Sequence, residues 1–413
     1  MVMEAPALDR FPDDFMQRPY EILEKYRKAG RVHHVVFPHG ADVWLVTRYD
    51  DVRRLLSDPK VSKDGRRMNE LFAKHTGTYV EGEKPDVGFD DELSYHMLNS
   101  DPPDHTRLRS LVSKSFTLRR MEGFRKRIHQ LVEEMLDTIA DKKEVDLIAE
   151  YAQPMPINII CDVLGIPFDD REMFARWAIQ LVGAGQPPEV VEAASRSVYE
   201  YGKQVIAEKR KNPGDDMMSV WAEGSGEDHL TDTELIAMIF LFTVAGHITS
   251  QHTLGNGVLN LLQNPAELDK LRADPSIIPS AIDELMRYDG AVGVATFRFT
   301  AEEVTIGDVT IPPDEIMALS ILSAHRDEER WGPDANTLNV SRRPNGVLGF
   351  GHGIHFCIGQ PLAKMQTEVG LARLLARFPH LRLTADPATL TWESSTLLRG
   401  VQTVPVSIVP EGA

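Results

Sequence analysis

The chain has 413 residues, 42% hydrophobic and 7% aromatic, the composition of a folded globular protein with a sizeable core. Its net charge of −17 argues against nucleic-acid binding, which calls for a basic face, and disfavours anionic membrane surfaces. Two cysteines exclude a disulfide framework and an iron–sulfur cluster, and fit a reducing compartment.

No internal repeat or low-complexity segment appears, so a single domain over residues 1–413 is expected. The longest apolar run, Leu235 to Gly246, falls short of the roughly 20 residues that span a bilayer and reads as a buried helix. The first residues lack the basic start and apolar core of a signal peptide. A soluble, cytoplasmic protein without nucleic-acid or membrane partners is the expectation.

In chain order, residues 16–30 form an amphipathic helix stopped by Gly30. RVHHVVF and DVWLVTR alternate as strands, and Pro38 and Gly40 between them predict a hairpin. DDVRRLLSDP is a helix ending before Pro59. Residues 60–98 are polar and poorly periodic, so a long functional loop is expected there. In SDPPDHTRLRSLVSKSFT the prolines close that loop and a basic helix begins, with His105 and Arg109 on one face. Residues 121–210 are mostly helical, with breaks near Lys142, Pro154–Pro156, Pro167 and Gly183–Pro188.

Thr231 and Glu234 form a capping box before a long, nearly all-round apolar helix that continues to about Gln263, ahead of Pro265. In its middle lies AGHITS, Ala245 to Ser250. Gly246 permits close approach to the backbone, and Thr249 can bond a carbonyl one turn back and open the helix ladder. Glu284 and Arg287, three apart, pair on one helix face. ATFRFTAEEVTIGDVTIPPDEIMALSIL alternates like a small sheet.

FGHGIHFCIG, Phe350 to Gly359, holds Cys357 among three glycines, two residues after His355. Glycines let backbone N–H groups approach a thiolate, and the helix that follows directs its positive end at the sulfur. One cysteine cannot make a zinc or iron–sulfur site, whereas one thiolate is the axial ligand of a haem-thiolate enzyme. Cys161, in the apolar run PINIICDVLGIP, lacks such wrapping and reads as core.

The pattern Phe-Gly-x-Gly-x-His-x-Cys-x-Gly resembles the haem-binding signature of the cytochrome P450 family. DPPDHTRLR, AGHITS and Glu-x-x-Arg are similar to three further family motifs, in the right order. The resemblance covers nearly the whole chain. It implies a mainly α cytochrome P450 fold, a large helical domain with small β-sheets at one side. It implies haem b, its iron held by the Cys357 thiolate. It places Phe350, Gly351, Gly359 and Ala245 against the cofactor, and His105, Arg109, Arg298 and His355 at its propionates. Gly246, Thr249 and Ser250 would form the oxygen groove. Glu284 and Arg287 would join Arg342, or alternatively Arg343, in a structural charge network. Val292, Val294, Ala295, His247 and Ile248 would wall the substrate pocket, residues 60–98 would cover it, and Gly183–Pro188 would be a lid loop.

The activity so implied is hydroxylation or epoxidation, with O2, of an apolar natural product: a polyketide or macrolide, a peptide, a terpenoid or a steroid. The chain has no Gly-x-Gly-x-x-Gly fingerprint, so electrons would come from a ferredoxin and ferredoxin reductase. Arg107, Arg109, Lys114, Arg119, Arg120 and Lys364 are the expected docking charges. One departure stands out: the family's acid before the groove threonine is here Ile248. Protons would then travel by water, Thr249, Ser250 or a substrate group. The departure also admits atypical chemistry such as ring closure, coupling, peroxide use or NADH-dependent nitric oxide reduction. A haem carrier or sensor would have no need of the oxygen groove.

Overall fold

The fold is built around the helix Asp232–Gln263, 32 residues long. Its first turn is closed as the capping box requires: the Glu234 amide donates to Thr231 Oγ1, and the Thr231 amide donates 2.8 Å to Glu234 Oε2. The helix is long and apolar enough to cross a membrane, yet 67% of its most apolar stretch is buried inside the protein. Helices Pro154–Leu164, Pro188–Lys211, Ile278–Asp289 and Gln360–Arg377 pack on its sides. The computed structural model describes residues 9–38, 40–76, 91–182, 186–223 and 229–410.

The predicted hairpin forms between Val32–Val36 and Asp42–Val46, antiparallel with Val32 opposite Val46. It seeds a six-stranded sheet: Asp42–Val46 pairs in parallel with Ile316–Leu319, which pairs with Arg298–Thr300 and places Val61–Ser62 beyond it at the edge. Val304–Ile306 and Val309–Ile311 make the two-stranded ribbon within the strand-like segment. Glu144–Asp146, Pro405–Ser407 and Arg382–Leu383 form a third sheet.

Residues 60–98 depart from the expected loop. They contain the edge strand Val61–Ser62 and an eleven-residue helix, Gly65–His75, whose first turn is capped by Asp64 accepting 2.8 Å from the Arg67 amide. The helical signal is present in the sequence, an Asp64 cap followed by Met68 and Leu71 three apart, and these two bury the inner face; the scattered glycines further along the segment outweigh it. Positions 77–90 lie outside the described residues, as do 183–185 of the expected lid loop. Pro154 does not interrupt a helix but starts one, after a π-helical turn at Ile148–Ala152.

Three histidines buried away from the cysteine loop's cavity set the acid limit of this fold. Burial pushes His247 and His252 down to about 4, and burial beside Arg287 and Arg326 pushes His325 to about 3, from 6.5. His325 is locked neutral because its Nε2 accepts from the Leu348 amide at 2.8 Å. Below about 6.5 the unfolded chain takes up protons that the native state refuses. Stability present above that pH is therefore lost toward pH 4, by up to about 1.4 kcal/mol per pH unit for each histidine. The melting temperature should fall steadily from about pH 7 to about pH 5; a flat profile would contradict the assignment.

Candidate active site

The cysteine loop is wound by two glycines in conformations that side chains rarely adopt, Gly351 at φ 75° and Gly353 at φ 76°. A Cβ on Gly353 would also lie 2.7 Å from Ser57 Cβ. The turn is closed by the Cys357 amide donating 2.9 Å to Phe350 O. The amides of Gly359 and Gln360, at the start of helix Gln360–Arg377, lie beside the Cys357 sulfur. Burial raises the thiol pKa, and these amides together with Arg109 pull it back. Cys161 has no such donors; burial pushes it up to about 12.

Cys357 lines a cleft enclosing about 1660 Å3 of atom-free space, part of it open to solvent. Phe350, Gly351, His355, Gly359, Arg109 and Arg298 share its wall. His105 lies beside it: its ring is 4.4 Å from that of His355, it is buried, and neither of its nitrogens has a partner. Arg109 donates 2.6 Å to Phe356 O, tying the His105 helix to the cysteine loop. Arg298 is 4% exposed, donates 2.7 Å to Thr296 O, and is lowered to about 10 by burial. Burial and the surrounding cations hold His355 far below its ordinary value. The motif residues thus converge into one cationic edge.

On the opposite side, the central helix contributes Ala245, Gly246, Thr249, Ser250 and Thr253. Thr249 Oγ1 donates 2.7 Å to Ala245 O as expected, but the helix stays continuous rather than opening. A Cβ on Gly246 would lie 3.2 Å from Ile160, so the missing side chain makes room for a neighbouring helix as well as for the cleft. Val292 and Ala295 line the cleft; His247, Ile248 and Val294 do not. His247 is fully buried on the far side of its helix, its Nε2 3.2 Å from Gln153 O. Ile248 is turned from the groove by the 3.6-residue period that brings 245, 249 and 253 into it. Val294 packs into the core under the large sheet, bridged to Ser320.

Gln366, absent from the sequence reading, also lines the cleft. It is 3% exposed, its Nε2 donates 2.7 Å to Ser250 Oγ, and its Oε1 has no partner. The only signal in the sequence was a polar residue inside an otherwise apolar helical face. Among the described residues no Asp or Glu lines the cleft, so Ile248 is not replaced by another acid.

Beneath the cysteine loop, Glu284 and Arg287 are fully buried and bidentate, at 2.7 and 2.8 Å. Arg287 further donates to the carbonyls of His325, Ala335 and Thr337. Arg342, not Arg343, completes the network, 3.3 Å from Glu284 and 2.7 Å from Asp334.

A thiol with backbone amides beside it on one wall, apolar flanks, and an edge made of Arg109, Arg298 and the buried, unpartnered His105 ring fit a flat iron tetrapyrrole with two carboxylates. Comparisons with known proteins agree. The family model described as cytochrome P450 matches residues 16–179 and 189–403. Cytochrome P450 107B1 of Saccharopolyspora erythraea is 44% identical over 404 residues, covering 98% of each chain. Cytochrome P450 monooxygenase PikC of Streptomyces venezuelae is 37% identical, covering 97% of this chain and 94% of the relative. The tirandamycin C-bound P450 monooxygenase TamI superposes with a TM-score of 0.88 at 40% identity, over 97% of this chain and all of that one.

Proposed function

The chain belongs to the cytochrome P450 family and is a monooxygenase; from that premise we propose that it hydroxylates or epoxidises an apolar natural product of the polyketide or macrolide class, using O2, haem b and electrons from a ferredoxin and its reductase. The observation that carries this reading is the Cys357 sulfur, presented by the glycine-wound loop into the same cleft as the Thr249 groove. The substrate class is supported by relatives named for such compounds, among them 6-deoxyerythronolide B hydroxylase and mycinamicin IV hydroxylase/epoxidase. It is supported too by the small apolar wall of Ala291, Val292 and Ala295.

Haem bound through Cys357 would supply oxygen activation, with the thiolate's electron donation favouring O–O cleavage. His105, Arg109, Arg298 and His355 would offset its carboxylates. Thr249 commits its hydroxyl proton to Ala245 O, leaving Oγ1 free to accept. Ser250 Oγ accepts from Gln366, so its own proton can be donated into the cleft. Thr249, Ser250 and Gln366 are thus an uncharged set that can orient water and pass protons without a carboxylate. The acid-free cleft is also the observation that favours the second reading, oxidative bond formation. One solved neighbour, CxnD, is described as acting in C–S bond formation, at 32% identity and a TM-score of 0.88.

Of the six expected docking charges, most are already engaged. Arg107 pairs with Glu234, Arg120 with Asp215 and Lys364 with Asp283, while Arg109 turns toward the loop. Lys114 and Arg119 are exposed and carry no ion pair among the described residues. Ile354 and Phe356 on the cysteine loop are exposed apolar side chains, 50% and 40% accessible. Ferredoxin-supported oxygenation of a macrolactone should therefore weaken with salt, and the Lys114→Glu/Arg119→Glu pair should raise the KM for ferredoxin roughly tenfold. Reduction by dithionite should be unchanged. Turnover with NADH and nitric oxide alone, or insensitivity to both salt and charge reversal, would overturn the electron-supply assignment.

A further inference from the structure

The cationic edge of the cleft holds one buried charge that no motif announces. Lys63 follows the edge strand Val61–Ser62 and is 4% exposed. Its Nζ donates 2.6 Å to Thr296 Oγ1, while the Thr296 carbonyl takes the Arg298 guanidinium at 2.7 Å. Thr296 and Arg298 both line the cleft. The nearest carboxylate, Asp101, does not neutralise the ammonium by a direct contact. It accepts instead from the Ser62 hydroxyl and from the Lys63 backbone amide at 3.1 Å. Lys63 makes no ion pair among the described residues.

Burial, with Arg298 adding to it, lowers Lys63 well below its ordinary value. His96, buried with an Nδ1 that has no partner among the described residues, is pushed down to about 3 by burial and by Lys63 nearby. A buried amine beside an arginine either gives up its proton or is held as an ammonium by an anion that completes the set.

We propose that Lys63 is a positioning residue for the cofactor: through Thr296 and beside Arg298, it charges and fixes the corner that receives a haem carboxylate. This rests on the haem assignment made above. Lys63 does not itself line the cleft, so its contribution passes through the Thr296 hydroxyl and through its field.

The test uses haem-loaded Lys63→Gln and Lys63→Met. The first keeps a hydrogen-bonding end without the charge, and the second keeps the packing alone. Haem transfer to excess apomyoglobin should be roughly tenfold faster in both. The iron reduction potential should move to more negative values in both, because a nearby positive charge is gone. Thr296→Val added to Lys63→Met should cost little more than the single change, since the two act as one unit. A structural lysine would leave release and potential at wild-type values while lowering the melting temperature, and that result overturns the proposal. Failure of the wild-type protein to bind haem would overturn the cofactor assignment instead, so the two failures are distinguishable. Should Lys63→Met not fold, Lys63→Gln alone decides by the same two readouts.

Discussion

The reduced wild-type protein with carbon monoxide should show the red-shifted Soret band of thiolate-ligated haem, and Cys357→Ala should abolish it. Such a band would report a thiolate ligand, and of the two cysteines only Cys357 lines the cleft. The substitution removes the sulfur alone. The loop is held by backbone, through the Cys357 amide on Phe350 O and the positive φ of Gly351 and Gly353. Far-ultraviolet circular dichroism of the alanine variant should therefore match the wild type, while oxygenation falls to background. Cys161→Ala is the control: that thiol is fully buried among apolar residues, and the band should survive its loss. A wild-type protein that binds haem but gives only the unshifted band, or an alanine variant that keeps the shifted one, would end the Cys357 assignment.

The largest stability loss is expected at Arg287. Its guanidinium serves Glu284 twice and three backbone carbonyls once each, all but the Thr337 bond fully buried. Arg287→Met leaves Glu284 at 0% exposure with the more distant Arg342 and the Asn339 amide as partners. An uncompensated buried carboxylate costs about 3–5 kcal/mol, a large part of the roughly 5–15 kcal/mol that holds a typical domain together. The carbonyls freed belong to the stretch before the cysteine loop, so haem retention should fail with folding. Arg287→Lys should rescue little, because an ammonium cannot reproduce a fork that meets a carboxylate and three carbonyls. Arg343→Ala should be near neutral, and Arg342→Ala intermediate. Denaturant midpoints of the soluble variants provide the measurement. An Arg287→Met protein within about 1 kcal/mol of wild type would show that the network is dispensable.

Much of this site was legible because its chemistry is local in sequence. The thiol and its glycines occupy ten consecutive positions, Phe350 to Gly359, and the helix follows directly, so the loop can be read without knowing the fold. The same holds for the Thr231–Glu234 capping box, the hairpin around Pro38 and Gly40, and the Thr249 bond to Ala245, each closed within a few residues. His105 with Arg109 and Glu284 with Arg287 were legible as pairs because one helical turn brings them together. Their convergence on one cleft was implied only by family resemblance.

What tertiary packing alone decided is direction and partnership across long separations. The central helix is apolar nearly all round, so its sequence cannot say which face meets the cleft. Packing against helix Pro154–Leu164 turns His247 inward and leaves the groove to Ala245, Thr249 and Thr253. Gly65–His75 has an apolar stripe at helical spacing, but which surface buries Met68 and Leu71 is set by the fold. Arg342 prevails over Arg343 because the chain direction at Asn339–Arg342 presents it to Glu284. Lys63 meets Thr296 across 233 residues, and Gln366 meets Ser250 across 116. Side chains such as these look like ordinary polar residues in a sequence. They become part of a site only when folding removes water from them and leaves each with a single partner.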